Sequence, residues 1–363
     1  MSKSNETKHE ILSNWIRGNI DNGTFQPGSK IPSEKELAQK FGYSRQTVRY
    51  SIGKLAAEGI LIKEQGKGTF VSDEKVQKAK QTTNRIGVIT TYLNDYIFPS
   101  IIQGIEGVLT KEGYTLSLGI TYNNSLNEEQ CLLQILESGV DGIIIEGTKS
   151  ALPNRNEDLF QNIKKNGIPL VFINGFYSGY NNSYVVMDDV KAGEMITEEL
   201  INKGHREIGG IFKSDDMQGI KRFEGMIQMA KKHNIAINDR SILWFTTEDM
   251  EYLFNGKMDQ YILSRFNNCT GVVCYNDEIA SNFIEILKRN QLKVKDNMSV
   301  VSFDNSFLAK ENLYNLTSID YPSKLIGISA AKVLLKMIKN PLYEKKIKLK
   351  PSIIIRDSVK TIK

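Results

Sequence analysis

SEKELAQKFGYSRQTVRYSIGKLAAEG, residues 33–59, sets two short helical patterns either side of one glycine. Ser33 with Glu36 makes an S-x-x-E capping box, so a helix starts there and runs to Gly42, a helix stop. Ser44 then caps a second helix ending at Gly59. Val48, Ile52 and Leu55 give that helix an apolar stripe, and Arg45 and Arg49, four residues apart, project from its other side. Helix, tight turn, helix is a DNA-reading unit. Its second helix lies in the major groove with its N-terminal residues against base edges. Arginine can bind guanine O6 and N7 in bidentate fashion and glutamine can pair with adenine, which suits Arg45, Gln46 and Arg49. A solvated basic face would show the same spacing, so the flanking sequence has to decide.

Upstream, residues 6–20 carry a helical stripe of Ile11, Leu12, Trp15, Ile16 and Ile20, followed by the turn-rich DNGTFQPGSKIPS. Downstream, ILIKEQGKGTFV (60–71) alternates, turns at Gln65-Gly66-Lys67-Gly68 and resumes, which predicts a hairpin with a basic, glycine-rich tip. Glycines there let main-chain N–H groups approach phosphates. GKGT is not a phosphate-binding loop, because that motif needs G-x-x-x-x-G-K-[ST] between a strand and a helix. Charge agrees with a nucleic-acid partner for this module alone. Residues 1–85 hold 15 Lys and Arg against 9 Asp and Glu, whereas the remaining residues hold 32 against 33.

The run PGSKIPSEKELAQKFGYSRQTVRYSIGKLAAEGILIKEQGKGTFV resembles the winged-helix domain of the GntR family of bacterial repressors. It shows that family's P-G-x-x-[IL]-P-[ST]-E-x-x-L, S-R-x-T-[VI]-R and G-x-G-T-[FY]-V. The resemblance implies double-stranded operator DNA as partner and places Glu34, Ser44, Arg45, Gln46, Thr47, Arg49, Gln65, Gly66, Lys67 and Gly68 at the DNA. On residue type alone, Glu34 also suits a helix-start charge and Gln65 a plain turn.

Residues 73–85, DEKVQKAKQTTNR, read as a linker between a reader at 1–72 and a body at 86–363. In the body, short apolar runs (86–90, 114–120, 141–146 and 168–174) alternate with helical segments, which predicts βαβ units around a parallel sheet. The pattern then restarts: IGGIF (208–212) echoes IGVIT, and TGVVCYND (270–277) echoes DGIIIEGT. Two similar α/β lobes make a clamshell, with ligand expected at the carboxyl ends of the strands. Glu146, Asn174, Asn276, Asp277 and Asp304 each follow an apolar run. The chain is expected to cross between lobes near 188, 305 and 340.

YNDEIA, VSFDN, GIKRFEG and the run before MDDVKAG resemble the LacI-type effector domain, itself similar to periplasmic sugar-binding proteins. That resemblance implies sugar binding through Glu146, Asn174, Arg222, Asn276 and Asp304, with Asp188 beside them. It sets Tyr96 and Phe98 against the sugar ring. Arg222 also suits a structural ion pair, and of Asn276 and Asp277 the latter is expected to cap the helix. A GntR-type reader on a LacI-type body resembles the layout of the arabinose-repressor family, which implies L-arabinose as effector, a homodimer and release of operator on sugar binding. A different sugar, a nucleoside, or co-repression fits the same layout. The DNA-inserting hinge helix of LacI proteins is not evident at 73–85.

Cys131, Cys269 and Cys274 form no metal or disulfide pattern, and the three histidines lack ligand spacing. No nucleophile–base pair, metal site or cofactor motif points to an enzyme. With no apolar run of membrane length and no signal-type N-terminus, a cytoplasmic protein is expected.

Overall fold

A computed structural model describes residues 7–57, 60–64, 67–72, 82–93, 97–177, 179, 183–311 and 315–362. The chain divides into two compact units, Met1–Thr82 and Thr83–Lys363.

The first unit comprises α1 (Lys8–Asp21), α2 (Glu34–Phe41), α3 (Arg45–Ala57) and the antiparallel pair β1 (Leu61–Glu64) and β2 (Gly68–Val71). Its start and stop signals act as their chemistry predicts. Ser33 and Glu36 satisfy each other's backbone N–H groups, and Gly42 ends α2 in the left-handed region at φ +65°. Val48, Ile52 and Leu55 are wholly buried with Leu12, Ile16 and Leu37. The apolar stripe of α3 therefore faces the core, which leaves its other side to solvent.

The second unit holds two lobes. In chain order the first is built from β3 (Arg85–Thr90), α4 (Phe98–Leu109), β4 (Thr115–Ile120), α5 (Ser125–Glu137), β5 (Gly142–Glu146), α6 (Glu157–Lys165), β6 (Leu170–Ile173) and β7 (Ser183–Met187). The second contains α7 (Asp189–Asn202), β8 (Ile208–Lys213), α8 (Met217–Lys232), β9 (Ile242–Phe245), α9 (Met250–Phe254) and α10 (Asp259–Arg265). It continues with β10 (Gly271–Cys274), α11 (Asp277–Arg289), β11 (Ser299–Asp304), α12 (Phe307–Glu311) and β12 (Thr317–Asp320). Then α13 (Ser323–Lys339) and β13 (Lys346–Leu349) return to the first lobe, and β14 (Ser352–Ile354) to the second.

Strand order is β13-β7-β6-β5-β3-β4 in the first sheet and β14-β12-β11-β10-β8-β9 in the second. All pairings are parallel except β12 with β14. Strands β5, β8, β10 and β11 are buried along their whole length, as expected of parallel strands covered by helices on both faces. The fold is α/β, with the restart of the pattern at residue 208 realised as a second sheet.

Two expectations need correction. Residues 83–85 are not linker: Thr83 and Asn84 donate their N–H groups to the Asp141 carboxylate, and Arg85 opens β3. Residues 73–81 of that segment lie outside the described residues. The chain crosses between lobes at 188 as expected, but the later crossings fall at 321–322 and 350–351, not near 305 and 340. The unforeseen strand β12 keeps the chain in the second lobe past residue 305. Its TSID is too short and polar to announce a strand, yet Thr317, Ser318 and Ile319 are fully buried.

Candidate DNA-reading face and effector cleft

On the first unit, Arg45, Gln46 and Arg49 are exposed at the N-terminal end of α3. Ser44 is held by its cap role: its Oγ accepts from the Thr47 N–H at 3.2 Å and lies 2.9 Å from Thr47 Oγ1. Thr47 is thus tied to the turn. Arg49 Nε donates to Glu34 Oε2 at 3.2 Å, so the first residue of α2 fixes the direction of this guanidinium. Across the hairpin, exposed Lys67 pairs with Glu64 at 3.0 Å. Gly68 adopts φ +128°, a backbone conformation that side chains with a Cβ rarely take, which favours glycine there. Gln65 and Gly66 lie outside the described residues.

On the second unit, a cavity of about 250 Å³ opens between the lobes. Phe98, Glu146, Arg222, Asn276 and Asp304 all line it, brought together from α4, the end of β5, α8, the segment after β10 and the end of β11. Tyr96 lies outside the described residues.

Arg222 is the centre of the site, 1% exposed. Its Nε donates to Asp189 Oδ1 at 3.0 Å, Nη1 to the Tyr275 carbonyl at 2.6 Å, and Nη2 to Asp304 Oδ1 at 3.3 Å. Its guanidinium carbon stands 4.6 Å from the centre of the Phe303 ring and 5.1 Å from that of Tyr275. Burial lowers its affinity for a proton, but Asp304 and Asp189 outweigh this, and the net pKa is raised. Close helix packing makes the arrangement possible. Gly193 of α7 and Gly225 of α8 sit where a Cβ would meet the facing backbone at about 2 Å, at Arg222 O and Val190 O. That approach delivers Asp189, the first residue of α7, to Arg222. The ion pair and the ligand-facing position, alternatives for Arg222 in the sequence, are one arrangement.

Glu146 is the second pole. Its Oε2 accepts from the Thr91 N–H at 2.9 Å and from the Thr91 hydroxyl, and its Oε1 accepts from Asn174 Nδ2 at 2.8 Å. Burial, opposed by these bonds, pushes its pKa up to about 7. A carboxyl raised this way favours the fold most when protonated, so its contribution is present below its ordinary value of 4.5 and is lost as pH rises through about 7. Glu146→Gln should therefore remove about 3 kcal/mol of pH-dependent stability change between pH 4.5 and 8. Thermal melts across that range check this: the variant's midpoint should fall less with rising pH than the wild type's.

Two expected ligands are placed differently, and one expected cap. Asp188 is not in the cavity lining; it caps α7 by accepting from the Lys191 N–H at 3.2 Å, and the next residue, Asp189, turns inward. Asn174, at φ +58°, stands behind Glu146: it donates to the carboxylate and accepts from Tyr321 OH at 2.6 Å. It orients an acid and does not line the space. Asn276 lines the cavity as expected, but the cap role expected of Asp277 also falls to it. Asn276 caps α11 through Ile279 N–H at 2.9 Å while still lining the cavity, and Asp277 is wholly buried against Ser302, Ser306 and Ser318.

Several lining residues escaped the sequence reading. Gln218, 5% exposed, presents an Nε2 with no hydrogen-bond partner. It precedes Arg222 by four residues on one helix, a same-face spacing that could have flagged it. Lys213 ends β8, as Glu146 ends β5, so the strand-end argument extends to it. Its burial disfavours charge, but Asp216 and Asp215 prevail and raise its pKa. Asp216 caps α8 and accepts from the Tyr275 hydroxyl. The cleft thus offers acceptors and donors in near balance, the chemistry that binds hydroxyls of a neutral polyol.

Residues 12–71 match the model of the bacterial regulatory proteins of the gntR family, and residues 197–359 that of the periplasmic binding protein-like domain. An arabinose metabolism transcriptional repressor of Halalkalibacterium halodurans is 37% identical over 362 residues, covering 97% of this chain and 96% of the relative. Its counterpart in Geobacillus stearothermophilus is 38% identical over 368 residues, covering 98% and 97%. The chain belongs to this family of transcriptional repressors. Among solved structures, the regulator CelR in complex with cellobiose shares the fold at TM-score 0.68 and 19% identity, over 90% of this chain and all of that one. Like its relatives, this repressor is a regulator of the sugar-responsive type and not an enzyme. No helix among the described residues is long and apolar enough to cross a membrane.

Proposed function

We propose that this repressor binds operator DNA as a homodimer in the cytoplasm and releases it when L-arabinose occupies the cleft. The observation that carries the effector is identity of 37% and 38% over nearly the whole chain to two proteins named for arabinose metabolism. Glu34, Arg45, Gln46 and Arg49 read or flank the bases, Ser44, Thr47, Lys67 and Gly68 position the backbone, and Gln65 and Gly66 join them at the DNA. In the cleft, Arg222, Asp304, Glu146 and Asn276 hold sugar hydroxyls, Gln218 supplies its unpartnered amide, and Phe98 packs on the ring. Sugar shifts the closed–open balance only by its differential affinity for the two states, and by reciprocity operator weakens sugar binding by the same factor.

Thermal unfolding of the full chain across pentoses, hexoses and nucleosides tests the reading. A ligand that binds only the folded state stabilises it by about 2.7 kcal/mol at a hundred times its Kd. A midpoint rise with L-arabinose, followed by operator release with the same sugar, is the expected result. A rise with another compound instead overturns the named effector. Sugar affinity unchanged by saturating operator overturns release as the mechanism.

A further inference from the structure

All three chain crossings between the lobes leave from one side. They follow β7, β12 and β13, and β13-β7 and β14-β12 form one edge of their respective sheets. The far edges carry β5, β3 and β4 in one lobe and β8 and β9 in the other. There the segments after β4, β5, β8 and β9 touch across the cleft. The Met217 N–H donates to Ser150 Oγ at 3.0 Å, and Asn123 Nδ2 donates to Thr247 Oγ1 at 2.6 Å. Lys149 Nζ pairs with Glu248 and stands 3.8 Å from Asp215.

We infer that Lys149 is a closure latch, a positioning residue that holds the two lobes together opposite the hinge and so sets how long the sugar stays bound. Contacts farthest from a pivot separate most on opening, so their loss is felt in the opening step. Lys149 is built into place. Its own N–H donates to Asn123 Oδ1 at 2.7 Å, and its backbone takes the left-handed φ +47°. The loop behind it hangs on Glu128, which is fully buried and accepts from Thr148 N–H at 3.0 Å, Asn156 Nδ2 at 2.7 Å and Tyr177 OH at 2.7 Å. The Lys149 side chain is 20% exposed and that of Glu248 61%, so solvent screens the pair from the Glu248 side. Lys149 does not line the cavity, so its removal leaves the sugar contacts in place.

The latch as a control on sugar lifetime rests on the effector reading above, and the test separates the two. In full-length protein, Lys149→Met should speed L-arabinose dissociation roughly two- to tenfold with association unchanged. Glu248→Gln should do part of the same, and should add nothing on top of Lys149→Met. Independently of sugar, hydrogen exchange at the Met217 amide, bonded across the cleft, should quicken in Lys149→Met. The Asp188 amide, bonded to Leu349 O on the hinge side at 2.9 Å, should not change. Additive effects of the two substitutions overturn the latch, as do unchanged dissociation or unchanged exchange. If L-arabinose fails to bind the wild type, the effector reading falls and the exchange comparison alone decides the latch.

Discussion

Arg222→Met should abolish sugar binding and sharply destabilise the body. The guanidinium is hydrogen-bonded to both Asp189 and Asp304, and both carboxylates are buried. Methionine fills similar volume but leaves two buried carboxyl groups without their cation, and breaking a buried pair in this way costs about 3–5 kcal/mol. A melt of the variant should fall well below that of the wild type and should not rise with L-arabinose. Because unfolding alone would also end sugar binding, Asp304→Asn is the sharper instrument. It keeps shape and most bonding, removes one charge, and sits at a strained position, φ +98°, whose side chain is aimed by the end of β11. Its sugar affinity should fall about tenfold to a hundredfold, the weight of one or two charge-assisted bonds, while operator affinity without sugar stays unchanged. An Asp304→Asn protein that still releases operator at wild-type sugar concentrations would remove this residue from the ligand site.

Arg45→Ala should weaken operator binding by about 1–3 kcal/mol and relax sequence preference at one position, with little change on unrelated DNA. The side chain is exposed at the start of α3, where recognition helices meet base edges. Lys67→Ala should instead lower affinity on every sequence and reduce the slope against salt by about one. Gel-shift titrations on operator and scrambled duplex, each at several salt concentrations, distinguish the two. Equal loss on both duplexes for Arg45→Ala would make it a phosphate contact. Glu34 adds a control: it holds Arg49 at 3.2 Å, so Glu34→Gln frees that guanidinium without removing it.

What residue order determined by itself was everything set within a few neighbours. The Ser33–Glu36 box, the left-handed Gly42 and the stripe Val48, Ile52 and Leu55 fix the reader, because capping and helical periodicity act over three or four residues. The buried runs at β3, β5, β8 and β10 fixed the two-lobed α/β body for the same reason, and strand ends pointed at Glu146, Arg222's partner Asp304 and Asn276. Only the tertiary structure decided between adjacent residues. Asp188 caps α7 and Asp189 turns to Arg222, 33 residues away, because the non-helical cap residue folds its side chain back on the helix N–H groups while the first helical residue faces α8. Asn276 likewise takes the cap role while lining the cavity, and Asp277, the first helical residue of α11, turns into the core. Neither the β12 crossing nor the Lys149 latch has a local signal. Each is fixed by partners brought in from distant strands, Ser318 against Ile354 and Lys149 against Glu248, and by left-handed backbone at Lys149, Asn174 and Asp304 that tertiary contacts hold in place.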